Sequence, residues 1–217
     1  MQAIIFDMDG TLIDTERISQ ASWRAAASEL GIEIPERILH AFVGLSMKTA
    51  HTMIDDEFGD SALPDRLFAR RNQIYGDTWI DQLELKPGAR EAIGAVHQRG
   101  LKCALATSSE RDRALFCLEH FDLADAFDAT VFHEDIAHPK PAPDVYLTAA
   151  KRLDVAAREC GAVEDSFNGI RAAAAAGMNV FMVPDYNAPT LEIEGLCTAV
   201  LPSLTKLPGA IDLQLTD

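Results

Sequence analysis

Asp7 and Asp9 stand two residues apart in the run Ala3-Ile4-Ile5-Phe6-Asp7-Met8-Asp9-Gly10-Thr11, where an apolar strand stops. Residues i and i+2 of an extended chain face the same side, so both carboxylates would overhang the end of a sheet if the strand ran on straight. Gly10 lets the backbone turn, and the second carboxylate can then be aimed elsewhere. One acid could bind a metal and attack while the other moves protons. Like charges this close repel, and a divalent cation between them is the natural compensation. Asp9-Gly10 alone also reads as a hairpin turn. A calcium loop is set aside, because its third oxygen ligand and its closing Glu would fall at Thr11 and Ile18.

Three further stretches carry polar groups at the ends of expected strands. Leu105-Ala106-Thr107-Ser108-Ser109 sets hydroxyls between a strand and a helix, where Thr107 and nearby amides could hold an anionic oxygen; helix capping by Ser108 or Ser109 accounts for the same residues. His138-Pro139-Lys140-Pro141-Ala142-Pro143-Asp144 holds Lys140 in a stiff segment, either as a fixed cation for phosphate and carboxylates or as a solvated loop lysine. His133 and His138 lack metal-ligand spacing and are expected on the surface. Glu164-Asp165 ends another strand. Adjacent side chains of an extended chain diverge, so one acid can face a metal while the other braces the loop or Lys140; Asp165, nearest the new helix, is the expected ligand, and acidic capping of that helix is the competing reading. Together the four corners match the needs of metal-assisted phosphoryl transfer, with Mg²⁺ on oxygen ligands.

The elements that must position these residues can be read from periodicity. Helices are expected over 15–30, 35–42, 46–58 and 64–80, with no strand pattern among them. A helix from Pro87 to near Gly100 and a strand over 101–106 follow. The alternation then continues with helix 110–119, strand 129–132, helix 143–153, strand 159–163, helix 167–176 and strand 180–183. Apolar strands alternating with helices imply right-handed βαβ units on a parallel sheet covered on both faces. The expected fold is an α/β Rossmann-like core, residues 1–14 and 85–217, with an α-helical cap inserted over 15–84. Ligands of such sheets gather at the carboxyl ends of the strands.

Composition narrows the function classes. The chain has 217 residues, 48% apolar, enough for one domain with an insertion or two small domains. No run of about 18 apolar residues occurs and no basic-then-apolar leader precedes Asp7, so no membrane span or signal peptide is expected. Cys103, Cys117, Cys160 and Cys197 show no CxxC pairing, which argues against zinc and disulfides and for a reducing, cytoplasmic setting. The net charge of −15 is adverse to nucleic acid. The expected partner is a small phosphorylated metabolite, and the chain a monomer or weak oligomer.

The order Asp-x-Asp-Gly-Thr, Ala-Thr-Ser-Ser, Lys-Pro-Ala-Pro-Asp and Glu-Asp-Ser-x-x-Gly resembles the haloacid-dehalogenase-like hydrolases, in their β-phosphoglucomutase and sugar-phosphatase branch. The resemblance implies Mg²⁺-dependent catalysis through an aspartyl-phosphate, with Asp7 as nucleophile and Asp9 as general acid and base. It further implies side-chain metal ligands Asp7 and Asp165, the Asp9 backbone carbonyl as a third, and Glu164 as support through water. Thr107, Ser108 and Lys140 would receive the phosphate. Gly44 and Lys48 would act from the cap, with Glu16, Ser19 and Trp23 as specificity residues; Trp23 also reads as plain helix core. The mutase pattern has a hinge histidine where Ser19 stands and an arginine where Met47 stands, so a phosphatase of small monoesters is favoured over a hexose-phosphate mutase, with phosphoglycolate as an alternative substrate. Asp9 argues against dehalogenase activity. No residue of Asp7, Asp9, Lys140 and Asp165 is missing, which argues against a silent interaction protein.

Overall fold

In the computed structural model, described over residues 1–42 and 47–215, the chain divides into two compact units, Met1–Ile13 with Leu85–Asp217, and Asp14–Glu84. The first unit begins with β1 (Ala3–Phe6), whose four side chains are all buried. The second is helical, built from α1 (Thr15–Glu29), α2 (Glu36–Phe42), α3 (Met47–Phe58) and α4 (Leu63–Gln82). The first unit resumes with α5 (Ala89–Gln98), β2 (Lys102–Ala106), α6 (Arg111–His120), β3 (Ala129–Val131), α7 (Asp144–Leu153), β4 (Cys160–Glu164), α8 (Phe167–Ala175), β5 (Asn179–Met182), α9 (Leu191–Leu196), β6 (Ala199–Val200) and α10 (Leu207–Leu215).

The six strands form one parallel sheet in the order β3-β2-β1-β4-β5-β6. This is the Rossmann-like α/β class expected from the alternation. Strands so placed are covered on both faces, which is why Ile4, Ile5 and Phe6, Cys103 to Ala106 and Cys160 to Val163 read as unbroken apolar runs. The chain leaves β1 toward β2 on one side and returns to its other side with β4, so the order reverses at β1. The crevice at such a reversal lies at the carboxyl ends of the strands. Register carries the corners to one level: Phe6 pairs with Leu105 and Val163, so Asp7, Ala106 and Glu164 follow together.

Beyond Val183, where the last expected strand ends, lie α9, β6 and α10. A six-residue helix and a two-residue strand are too short to show a period, and α10 contains Pro208 and Gly209, which mask its helical spacing. The strand over 180–183 sits one residue earlier, at Asn179–Met182. Cys103, Cys117 and Cys160 are buried thiols and Cys197 is partly exposed; no disulfide occurs among the described residues.

Inside the helical unit α1 packs along α4. Trp23 is 4% exposed, with its ring centroid 4.8 Å from those of both Phe42 and Phe68. Of its two readings, core is the observed one. Ser19 Oγ accepts from Arg71 Nη2 at 2.8 Å, and the Arg71 guanidinium lies over the rings of Tyr75 and Trp23. Lys48 is exposed and lines a cavity of about 470 Å³ with His51, Thr52, Asp65 and Phe68. Gly44 lies outside the described residues. Among the described residues no helix is long and apolar enough to cross a membrane.

Candidate active site

The two opening acids part company in one turn. Met8 O accepts from the amides of both Leu12 and Ile13, at 2.9 and 3.0 Å, and Gly10 N donates to Ile13 O at 2.8 Å. Met8, Leu12 and Ile13 are at most 1% exposed, so apolar burial holds the turn from inside while Asp7 and Asp9 point to separate partners. Gly10 has φ +83°, and a Cβ there would meet Asp165 Oδ2 at 2.4 Å. No other residue type fits this position without displacing Asp165.

Asp7 continues the line of β1, its amide bonded to Val163 O at 3.0 Å. Lys140 Nζ donates to Asp7 Oδ1 and to Glu164 Oε1, each at 2.5 Å, and its side chain is only 7% exposed. The lysine is a fixed buried cation, not a solvated loop residue. Burial alone would depress its pKa, but Asp7 and Glu164 outweigh that and hold it charged.

Glu164 is fully buried. Its Oε1 also accepts from Tyr146 Oη at 2.8 Å, and its Oε2 accepts from the amides of Asp165 and Ser166 and from Ser166 Oγ. The Tyr146 pKa is pushed up by burial and by the Glu164 charge, so the phenol remains a donor. A Cβ on Gly169 would lie 1.7 Å from Glu164 Oε1, so α8 approaches this carboxylate through a residue without a side chain. Asp165, by contrast, takes one hydrogen bond at Oδ1, from Thr11 Oγ1 at 2.7 Å. The two adjacent acids thus have different hydrogen-bond partners, although a carboxylate oxygen of each lies within 4.8 Å of the other.

Asp7, Glu164 and Asp165 each offer a carboxylate oxygen within 4.8 Å of the others. Without a bound ion, burial would raise the Asp7 pKa to about 8 despite Lys140. Asp165 is raised well above its ordinary value by burial and then by the charges of Glu164 and Asp7. Three buried acids facing one lysine require protons or a second cation. An all-oxygen donor set of this kind suits a hard divalent ion, so the residues present could hold one.

Thr107 is buried at the end of β2, its amide on Val131 O and its Oγ1 accepting from Ser109 N at 3.0 Å; Ser108 is exposed. Asp9 stands apart from the acidic cluster. It receives Ser109 Oγ at Oδ2 and Arg113 Nη2 at Oδ1, at 2.6 and 2.8 Å. His133 and His138 are exposed, and His138 pairs with Asp144. Thus Lys140 joins Asp7 and Glu164 directly, Asp165 offers a carboxylate oxygen within 4.8 Å of those acids, Thr107 stands at the end of the neighbouring β2, and Asp9 lies in the turn after β1.

Sequence reasoning missed Thr11, Tyr146, Ser109 as an Asp9 partner, Arg113, and the pair Lys86–Asp185, whose Nζ and Oδ1 lie 2.5 Å apart. Ser109 and Arg113 left a usable signal, a spacing of four residues at a helix start. Tyr146 left none, being separated from Glu164 by 18 positions.

A family model described as haloacid dehalogenase-like hydrolase matches residues 4–183, which include Asp7, Asp9, Thr107, Lys140, Glu164 and Asp165. The chain belongs to that family. It is 35% identical to hexitol phosphatase B of Escherichia coli strain K12 over 215 residues, covering 94% of this chain and 93% of the relative. It is 32% identical over 182 residues to a phosphorylated carbohydrates phosphatase of Thermotoga maritima, covering 82% of each. The crystal structure of β-phosphoglucomutase from Clostridium difficile superposes with a TM-score of 0.73 at 25% identity, covering 100% of both chains. Haloacid dehalogenase-like hydrolases are enzymes, and this chain is one of them.

Proposed function

We propose that this hydrolase is a Mg²⁺-dependent phosphatase of small phosphate monoesters, sugar phosphates in the first place, acting through a phosphorylated Asp7. One observation carries the reading: a buried carboxylate at the end of the central strand, bonded through one oxygen to a buried lysine, has a second acid two residues on with its own separate partners. Relatives named for phosphorylated carbohydrates and hexitols point to the same substrate class.

Asp7 and Asp165 would hold the ion, with the Asp9 carbonyl as a backbone ligand and Glu164 supporting from behind. Bound there, Mg²⁺ supplies positive charge to the transferring phosphoryl group. Lys140 and Thr107 orient the phosphate, with Ser108 amide or hydroxyl beside them. Asp7 attacks phosphorus as the ester P–O bond breaks, and Asp9 gives its proton to the departing alcohol oxygen. Water then attacks the phosphoenzyme and passes a proton to Asp9, which releases phosphate and restores both acids. The test is phosphate release from a panel of sugar phosphates, phosphoglycolate and nucleotides, with Mg²⁺ or with a chelator. Release that is unchanged by the chelator, or absent for every ester, would refute the proposal.

Metal should also stabilise the fold in a pH-dependent way. In the unfolded chain Asp7 ionises near its ordinary 3.8, while in the folded, metal-free protein it does so near 8. Between those values the folded state keeps a proton that the unfolded state has lost, so metal-free stability falls as pH rises. Asp165 shifts in the same direction. A bound ion takes the place of those protons, and its stabilisation grows with pH. Melting curves with Mg²⁺ and with chelator should therefore lie further apart at about pH 8 than at about pH 5. A gap that stays constant contradicts this account.

A further inference from the structure

Asp9 lies two residues from Asp7, yet its carboxylate takes no part in the cluster formed by Asp7, Glu164 and Asp165. The entry to α6 explains why. Ser109 Oγ donates to Asp9 Oδ2 at 2.6 Å, Arg113 Nη2 donates to Asp9 Oδ1 at 2.8 Å, and Arg113 Nη1 donates to Ser109 Oγ at 2.9 Å. The three side chains thus close a small ring of hydrogen bonds. Each of the two opening acids has its own cation, Lys140 for Asp7 and Arg113 for Asp9.

The division matters for chemistry. Lys140, and any ion held by the cluster, would attract a second carboxylate tethered so close. An Asp9 drawn inward would become one more metal-side acid and leave the ester oxygen without a proton donor. Ser109 and Arg113 counter this with two bonds to the charged form, the guanidinium bond being of the stronger charge-assisted kind. Each carboxylate oxygen keeps a further lone pair, so a group held in this way can still carry and deliver a proton.

We propose that Ser109 and Arg113 are positioning residues that keep the Asp9 carboxylate apart from the metal-side acids, in the orientation from which it exchanges a proton with the ester oxygen. This rests on the reading of Asp9 as general acid and base. Neither residue needs to touch the substrate for the role, and nothing in the Asp-x-Asp-Gly-Thr motif specifies it.

The test is the dependence of kcat/KM on the leaving group, across phenyl phosphates from p-nitrophenyl to p-methoxyphenyl. kcat/KM covers the steps only through loss of the alcohol. The p-nitrophenolate ion departs without a proton, whereas the p-methoxy analogue requires one. Arg113→Met is expected to lower kcat/KM for the p-methoxy ester by about tenfold or more, within the range that general acid catalysis supplies, and for the p-nitro ester by less than about threefold. Ser109→Ala should steepen the dependence in the same direction, and keeps the test open if Arg113→Met does not fold. Arg113→Lys should restore part of the loss. Equal losses on all esters, or no loss, overturn the inference. Asp9→Asn separates the two levels: if it fails to steepen the dependence, the acid role itself falls. If Asp9→Asn steepens it and neither Arg113→Met nor Ser109→Ala does, only the positioning role falls.

Discussion

Asp7→Asn is expected to lower phosphate release by about 10⁴-fold or more, the scale seen when a nucleophile that works within a catalytic unit is removed. Asn matches Asp in shape, so the turn over Met8 and the register of β1 should persist. The amide cannot attack phosphorus at a useful rate, and it stays neutral at every pH beside Glu164 and Asp165. Lys140 keeps Glu164 as its partner. The variant should therefore melt no lower than the parent protein in the absence of metal, which separates lost chemistry from lost structure. Phosphate release at the parent rate would refute Asp7 as the attacking group.

Lys140→Met carries the largest expected effect on stability. The lysine Nζ sits between two carboxylates, Asp7 at 9% and Glu164 at 0% side-chain exposure. Methionine fills a similar volume but leaves both acids without a cation. Removing one partner of a buried ion pair costs about 3–5 kcal/mol. At roughly 2–4 °C per kcal/mol for a chain of this size, melting should fall by roughly 6–20 °C, as read by thermal denaturation in chelator. Acidic pH should recover part of that loss, because the orphaned acids can then take up protons. An unchanged melting temperature would show that the pair contributes nothing to the fold.

These two side chains also mark what a reader of the sequence could and could not see. Ala3-Ile4-Ile5-Phe6 before an acid, and Leu105-Ala106 before Thr107, announce strand ends because buried parallel strands must be apolar throughout and the first polar residue falls where the sheet stops. The first helix of the inserted segment was legible by a related logic, its apolar residues Ile18, Ala21, Ala25 and Ala26 recurring at helical spacing. The C-terminal α9, β6 and α10 were not, since six residues, two residues and a Pro-Gly interruption leave no period to read. Lys140 could be seen only as a stiffly held cation with a solvated loop as its rival. The choice was made by burial, which no local spacing encodes.

The local amino-acid order sets which residue types arrive at which strand ends: paired acids after β1, hydroxyls after β2, a lysine before α7, and adjacent acids closing β4. It could do so because each such corner is written within about ten consecutive residues and obeys strand and turn rules that act locally. The pairing is set by the three-dimensional arrangement. Asp7 and Lys140 are 133 positions apart, and Asp9 and Arg113 are 104 apart. Which acid takes which cation depends on the strand order and register that carry those corners to one level, on the fully buried Glu164 that shares the lysine, and on the turn at Gly10 that sends Asp9 away from the cluster. Electrostatics at a few ångströms sorts charges only after the backbone has brought them there.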